Sequence, residues 1–262
     1  MRYILALITL CSSLCAEILE TAHFREIKDH IREGTLLILD IDDTLLIPVQ
    51  TLGTDVWFVH RLQEHLHSKN DPATALDLTL AAWEAVRHIT RVQVVEEGTA
   101  EIIQKLQQAH SPVMGLTTQG LTLATRTVNQ LKSLGIDLTT TAPSQEDHYF
   151  INGKNSVLYR HGILFTSGTA KGEALLTLLD KLNYPVQHIL FINDKKTHLE
   201  DVEKSLINKG IAFTGLRYNY RDKKIASFRK EITDIQWKYS SFEHILSDEE
   251  ALLLLEENSQ NF

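Results

Sequence analysis

The sequence predicts an α/β fold: a doubly wound, mainly parallel sheet (a Rossmann-like core) with a small helical insertion and a helical C-terminal extension. Two observations carry this prediction. Near-continuous apolar runs at residues 35–41, 112–117 (PVMGLT) and 188–193 (HILFIN) have the pattern of strands buried on both faces. Helical periodicity alternates with them, as in parallel βαβ units.

In chain order, the opening residues MRYILALITLCSSLCAE read as a secretory signal over 1–16. Arg2 supplies the basic end, Ile4 to Cys11 an apolar stretch too short to span a bilayer, and Ala16 a small residue for cleavage. A buried N-terminal strand or helix is the other reading of this segment. Residues 17–49 and 92–222 form the expected core, with the first buried strand at 35–41. Residues 50–91 carry only helical patterns and read as a cap. Val59, Leu62 and Leu66 share one face, Leu76, Leu80 and Trp83 another, and Asp71-Pro72 marks a helix start. Helices are expected near 102–107, over 121–134 with Gly135 as its cap, and over 174–182, with a further strand at 211–218. Residues 148–165 mix Gly, Asn and aromatics and read as a β-hairpin or flap. The extension, 223–262, is helical, with Ser247 and Glu250 in capping-box spacing.

Composition narrows the function. A net charge of -8 argues against nucleic acid or an anionic membrane surface as the partner. Both cysteines, Cys11 and Cys15, lie within the signal, so a chain starting near Glu17 has no thiol nucleophile and no cysteine-ligated zinc. Stable membrane insertion is not expected after cleavage, and the destination is periplasmic or secreted.

The chemistry concentrates in LLILDIDDTLLIP, residues 36–48. Ligands in open parallel sheets bind beyond the carboxyl ends of the strands, where Asp40 and Asp42 fall. Two neighbouring carboxylates either share a proton or bind a cation, and hard oxygen donors favour magnesium. Asp43 or Thr44 could also simply cap a following helix. Three further segments meet this end of the sheet: GLTTQG with Thr117, GTAKGEALL with Lys171 at a helix start, and FINDKK with Asp194. A helix start suits an anion, and a lysine there opposes the dipole unless an anion is bound. Together they describe an active site.

In these motifs the sequence resembles the haloacid dehalogenase-like (HAD) superfamily, whose members are mostly magnesium-dependent phosphatases. DIDDT (40–44) is similar to the nucleophile motif, and Thr117, Lys171 and Asp194 match the second, third and fourth motifs in order. The segments GILFTSGTAKGEAL, GLTTQG and SDEEA also resemble an exported HAD-like bacterial family without an assigned substrate. The resemblance implies an aspartyl-phosphate on Asp40, with Asp42 as acid and base. It implies Mg²⁺ held by the Asp40 and Asp194 carboxylates and the Asp42 carbonyl, and a phosphoryl clamp from Thr117, the Thr118 amide and Lys171. An acid at position 42 fits a phosphatase or phosphotransferase rather than a dehalogenase.

Two departures stand out: the fourth motif carries a single acid beside Asn193, and Gln119 stands where many relatives carry arginine. Trp57, Arg61 and Trp83 of the cap are candidates to meet the leaving group of a small phosphorylated substrate. Arg61 suits a second anion, whereas Trp83 doubles as cap core. Tyr159, Arg160 and His161 could reach in from the flap. Of the twelve histidines only His198 falls near the motifs, and a surface place is expected for it. The expected function is an exported, Mg²⁺-dependent phosphohydrolase. A catalytically idle binding or effector protein and a phosphotransferase are the alternatives.

Overall fold

The computed structural model describes residues 16–69, 71–207 and 209–260; the expected signal lies outside these apart from Ala16. Its strands are β1 (Ala16–Thr21), β2 (Thr35–Leu39), β3 (Leu46–Pro48), β4 (Val92–Val94), β5 (Val113–Thr117), β6 (His148–Asn152), β7 (Asn155–Arg160), β8 (Ile163–Phe165), β9 (His188–Asn193) and β10 (Ala212–Tyr218). The helices are α1 (Asp55–His67), α2 (Pro72–Ile89), α3 (Thr99–Gln108), α4 (Ala124–Ser133), α5 (Lys171–Leu182), α6 (Lys196–Ile207), α7 (Asp222–Ala226), α8 (Lys230–Tyr239) and α9 (Asp248–Gln260), with 3-10 turns at Phe24–His30 and Leu121–Leu123.

Eight strands form one sheet in the order β1-β10-β9-β2-β5-β8-β7-β6, and only β7 runs against the rest. This is the expected doubly wound α/β core. Alternation along β2 shows why. Leu37 and Leu39 join one core with Phe24, Ile103 and Val128, while Leu36 and Ile38 join the other with Ala174, Leu178 and Val202. A strand covered on both faces must be apolar at every position. Gly172 lets α5 approach α6: a Cβ there would sit 2.7 Å from the Asp201 carbonyl oxygen.

Three elements refine or correct the sequence expectations. Residues 16–21 form an edge strand, β1, parallel to β10. Of the two readings of 148–165 the β-hairpin holds, as β6–β7, and with β8 it extends the main sheet instead of standing over the site as a flap. Its Tyr159 is buried and donates to the Ser144 carbonyl, and Arg160 pairs with Asp147. The cap helices also bury other faces than periodicity suggests. α2 buries Ala75, Thr79, Trp83, Val86 and Arg87, whereas Leu76 and Val59 are exposed. The physical reason is that the pair shares its apolar cluster with the C-terminal extension and lies over a polar site, so the buried faces are set by three partners and not by the two helices alone.

The antiparallel ribbon β3–β4 is the stem joining core to cap. Above it, Leu52, Trp57, Trp83 and Val86 cluster with Phe228 and Ile245 of the extension. The Ser247–Glu250 capping box forms as expected, with reciprocal bonds of 3.1 and 2.7 Å. Among the described residues, no helix is long and apolar enough to cross a membrane.

Candidate active site

Asp40 follows β2 directly and its amide donates to the Ile192 carbonyl, which ties it to the end of β9. It is 5% exposed. Lys171, the first residue of α5 and buried, donates from Nζ to Asp40 Oδ1 at 2.5 Å. Thr44 Oγ1 lies 3.4 Å from Asp40 Oδ2. The chain then turns through Asp43, in the left-handed region at φ 57°, into β3. Neither Asp43 nor Thr44 caps a helix, because none begins there; Asp43 instead pairs with Arg221 at 3.0 Å. Burial, and next the charge of Asp55, push the Asp43 carboxyl up to about 7.

Asp42 is held from two sides. Arg87 of α2 places Nη2 2.7 Å from its Oδ1, and Gln119 Nε2 donates to its Oδ2 at 2.7 Å. Gln119 is fixed in turn by Thr127, whose hydroxyl donates to Oε1 at 2.6 Å. At position 119 this chain thus has a glutamine that orients the second acid. Burial raises the Asp42 pKa, and Arg87 opposes that rise. A reciprocal pair lies alongside, with Lys195 of the core donating to Asp55 of the cap. Burial pushes Asp55 up, but Lys195 and Arg87 together outweigh it and hold its pKa below the usual range. Each layer therefore gives one acid and one base to the seam.

Asp40, Asp42, Asp55, Gln119 and Lys195 of these groups line a cavity of about 200 Å³. Its floor is Asp40, Asp42, Thr117, Thr118 and Gln119, and its cap side is Asp55, Phe58, Val59, Leu80 and Trp83. Thr117 is buried, with Oγ1 accepting from the Gln119 amide at 3.1 Å. His198 also lines the cavity, against the surface place expected of it. Burial, and next the nearby Lys171, push its pKa down to about 4. Asp194 sits at the end of β9 beside this lining, in a shallow cleft with Arg217 and Asp222. Burial, and next the charge of Asp40, push its pKa up to about 8, and its Oδ1 is buried without a hydrogen-bond partner.

Asp40, Asp42, Thr117, Thr118 and Lys171 thus converge, with Asp194 adjacent. Arg61 and Trp57 do not join them. Arg61 pairs with Glu64 at 2.8 Å and lies over Trp237, and Trp57 is buried against Trp237. Both face the extension because α8 covers that side of α1. Among the described residues, the one three-residue His and acid group within metal-binding reach is His60, Glu64 and Asp234, between α1 and α8 and away from this cavity. Asp55, Arg87 and Lys195 were not foreseen. Asp55 and Arg87 read locally as ordinary charged helix-surface residues and Lys195 as a loop lysine after β9, and only the seam gives each its partner.

A family model described as "Protein of unknown function (DUF2608)" matches residues 20–252. The chain belongs to the DUF2608 family. The DUF2608 match spans the whole cavity floor, the cap and the first residues of α9. Two Chlamydia pneumoniae proteins are similar to this chain. One is 27% identical, covering 85% of this chain and 83% of the relative; the other is 24% identical, covering 96% and 97%. A Chlamydia muridarum protein is 25% identical, covering 97% and 98%. All three carry the name "Putative outer membrane protein".

Proposed function

We propose that this protein is an exported phosphohydrolase of the HAD type, acting on a small phosphomonoester through an aspartyl-phosphate. The observation that carries the reading is Asp40, buried at a strand end with Lys171 at 2.5 Å and Thr117 in the same cavity. A carboxylate so placed is an available nucleophile, and the lysine and threonine are suited to a phosphoryl group.

The donor set fits Mg²⁺. Asp194 has an unpartnered buried oxygen and a pKa raised partly by Asp40, and a divalent cation between the two would relieve that repulsion. The Asp40 and Asp194 carboxylates would hold it. Asp42, whose side chain is taken by Arg87 and Gln119, would contribute its carbonyl. When bound, Mg²⁺ screens the charge on the transferring phosphoryl group.

In the first step an Asp40 oxygen attacks phosphorus, the bond to the leaving oxygen breaks, and Asp42 supplies the proton to that oxygen. Water then attacks the aspartyl-phosphate, Asp42 takes its proton, and phosphate leaves with Asp40 restored. Lys171 and Thr117 hold the phosphoryl oxygens throughout.

One observation favours a second reading, a binding protein that performs no chemistry: both Asp42 oxygens face partners, Oδ1 paired with the Arg87 charge and Oδ2 accepting from Gln119. Phosphate release from an aryl phosphate, with Mg²⁺ and with chelator, separates the two. Release that needs both the metal and Asp40, with Asp40→Asn inactive, is expected. Background release by the wild type on aryl and metabolite phosphates alike would favour the binding protein. An added alcohol that captures the phosphoryl group would indicate transfer. Export belongs to the same proposal, supported by the signal pattern at 1–16 and by the names of the chlamydial relatives.

A further inference from the structure

The phosphoryl end of the cavity is polar, but the end that would receive the rest of the substrate is not. Its wall is Phe58, Val59, Leu80 and Trp83. Phe58 and Trp83 meet edge to face, with centroids 5.9 Å apart. Val59 is 54% exposed, apolar surface left open at the cavity mouth. Asp55 also lines the cavity from α1, but its carboxylate is taken by Lys195, and Trp83 Nε1 is a buried donor without a hydrogen-bond partner.

Charge tells the same story. Among the described residues, the only lysine or arginine in the lining is Lys195, and its ammonium is bonded to Asp55. Arg87 is committed to Asp42, and Arg61 lies outside with Glu64. A carboxylate or second phosphate on the substrate would find no unpaired cation, and any hydroxyl of a polyol placed against Phe58, Val59, Leu80 and Trp83 would be stranded on apolar carbon. Size sets a further limit. An apolar cavity of about 150 Å³ accommodates one benzene ring, so a volume of about 200 Å³ suits a phosphoryl group with one ring or a compact branched chain.

We infer that the substrate of this site is the phosphate ester of a compact, uncharged, aromatic or branched apolar alcohol, selected by the Phe58, Val59, Leu80 and Trp83 wall. This rests on the phosphohydrolase reading and adds the class of leaving group.

The test compares benzyl phosphate, glucose 6-phosphate and phosphoserine, all primary alkyl esters, so that differences report recognition and not leaving-group reactivity. The purified protein with Mg²⁺ is expected to show a kcat/KM for benzyl phosphate at least about tenfold above either of the others. Calorimetry on Asp40→Asn is expected to give tighter binding of benzyl phosphate than of inorganic phosphate. Leu80→Ser and the half-exposed Val59→Ser, which does not endanger folding, should each erase about three- to tenfold of that advantage while leaving inorganic phosphate unaffected. Equal or better turnover of glucose 6-phosphate or phosphoserine overturns this inference alone. Selective binding of benzyl phosphate without hydrolysis of any ester supports the pocket and overturns the phosphohydrolase. Neither binding nor turnover overturns both.

Discussion

The sheet and the helical roof above it are joined to the molecule by different forces. Every residue of β2, β5 and β9 is buried, and their neighbours are Leu, Ile, Val and Phe on both faces. The roof, made of α1, α2 and the C-terminal helices, has a smaller apolar cluster and relies on polar bolts. Buried Gln236 accepts from the Leu52 amide at 2.9 Å and donates to the Leu246 carbonyl and to Asp248 at 3.0 and 2.8 Å. Asp248 in turn receives the Thr51 amide and hydroxyl at 2.7 and 2.6 Å. The sheet gains stability in proportion to the area it hides, whereas the bolts gain little net energy but set register. The roof should therefore be the part that opens first, and it is the part that closes the cavity.

Four measurements would sharpen or break this comparison. Leu190→Ala, in the sheet, should cost about 4 kcal/mol by urea denaturation. A cost no greater than that of the roof variants would remove the distinction between the two regions. Arg87→Ala should cost about 3 kcal/mol, because it leaves Asp42 buried without its cation. Arg87→Met, which keeps the packing on Trp83, should cost as much if charge governs the seam and far less if packing does. Gln236→Leu should cost about 2 kcal/mol through the stranded Leu52 amide. Hydrogen exchange should then rise in α1 and α8 but not in β2; a uniform rise would mean that roof and sheet unfold as one unit.

The smallest effect is expected from Asp194→Asn. With the Asp194 pKa raised to about 8, the folded state holds a proton that the unfolded chain loses near the usual carboxylate pKa. Asp194 therefore contributes stability below about pH 4 that is lost as the pH rises toward 8. In chelator at pH 8 the asparagine variant should be more stable by about 1 kcal/mol, roughly 3 °C in Tm, and should lose any stabilisation by Mg²⁺. His188 provides an internal control of opposite sign. It is buried between Thr35 and Thr214, and burial, then Arg32, lower its pKa to about 4. Its contribution is complete above about pH 6.5 and is lost as the pH falls toward 4, so His188→Gln should flatten the acid limb without changing the response to Mg²⁺.

The two regions also differ in how far the sequence reveals them. Asp40, Thr117, Lys171 and Asp194 were legible because each ends a continuous apolar run or opens a helix, and strand ends of a parallel sheet lie together wherever the chain wanders between them. β1 was not, because its residues AEILET share one sheet edge with solvent and lack the unbroken apolar run of the inner strands. Periodicity found α1 and α2, and the Asp71-Pro72 start is where it was expected, with the Asp71 side chain accepting from two amides of the first turn. It did not find their buried faces. Arg61 and Trp57 point to the extension, and Arg87, indistinguishable from a solvated helix residue, is 2% exposed against Asp42.

What the sequence by itself determined is the α/β core and the four strand-end and helix-start positions at the carboxyl edge of its sheet, because apolar runs and caps are local patterns. The tertiary structure alone decided which charges meet across the seam, that Gln119 serves Asp42, and that Phe58, Val59, Leu80 and Trp83 meet over the cavity. Those outcomes depend on how the roof is rotated over the sheet. That rotation is set by contacts with helices more than 140 residues further along the chain, Leu52 with Gln236 and Thr51 with Asp248, which no local pattern encodes.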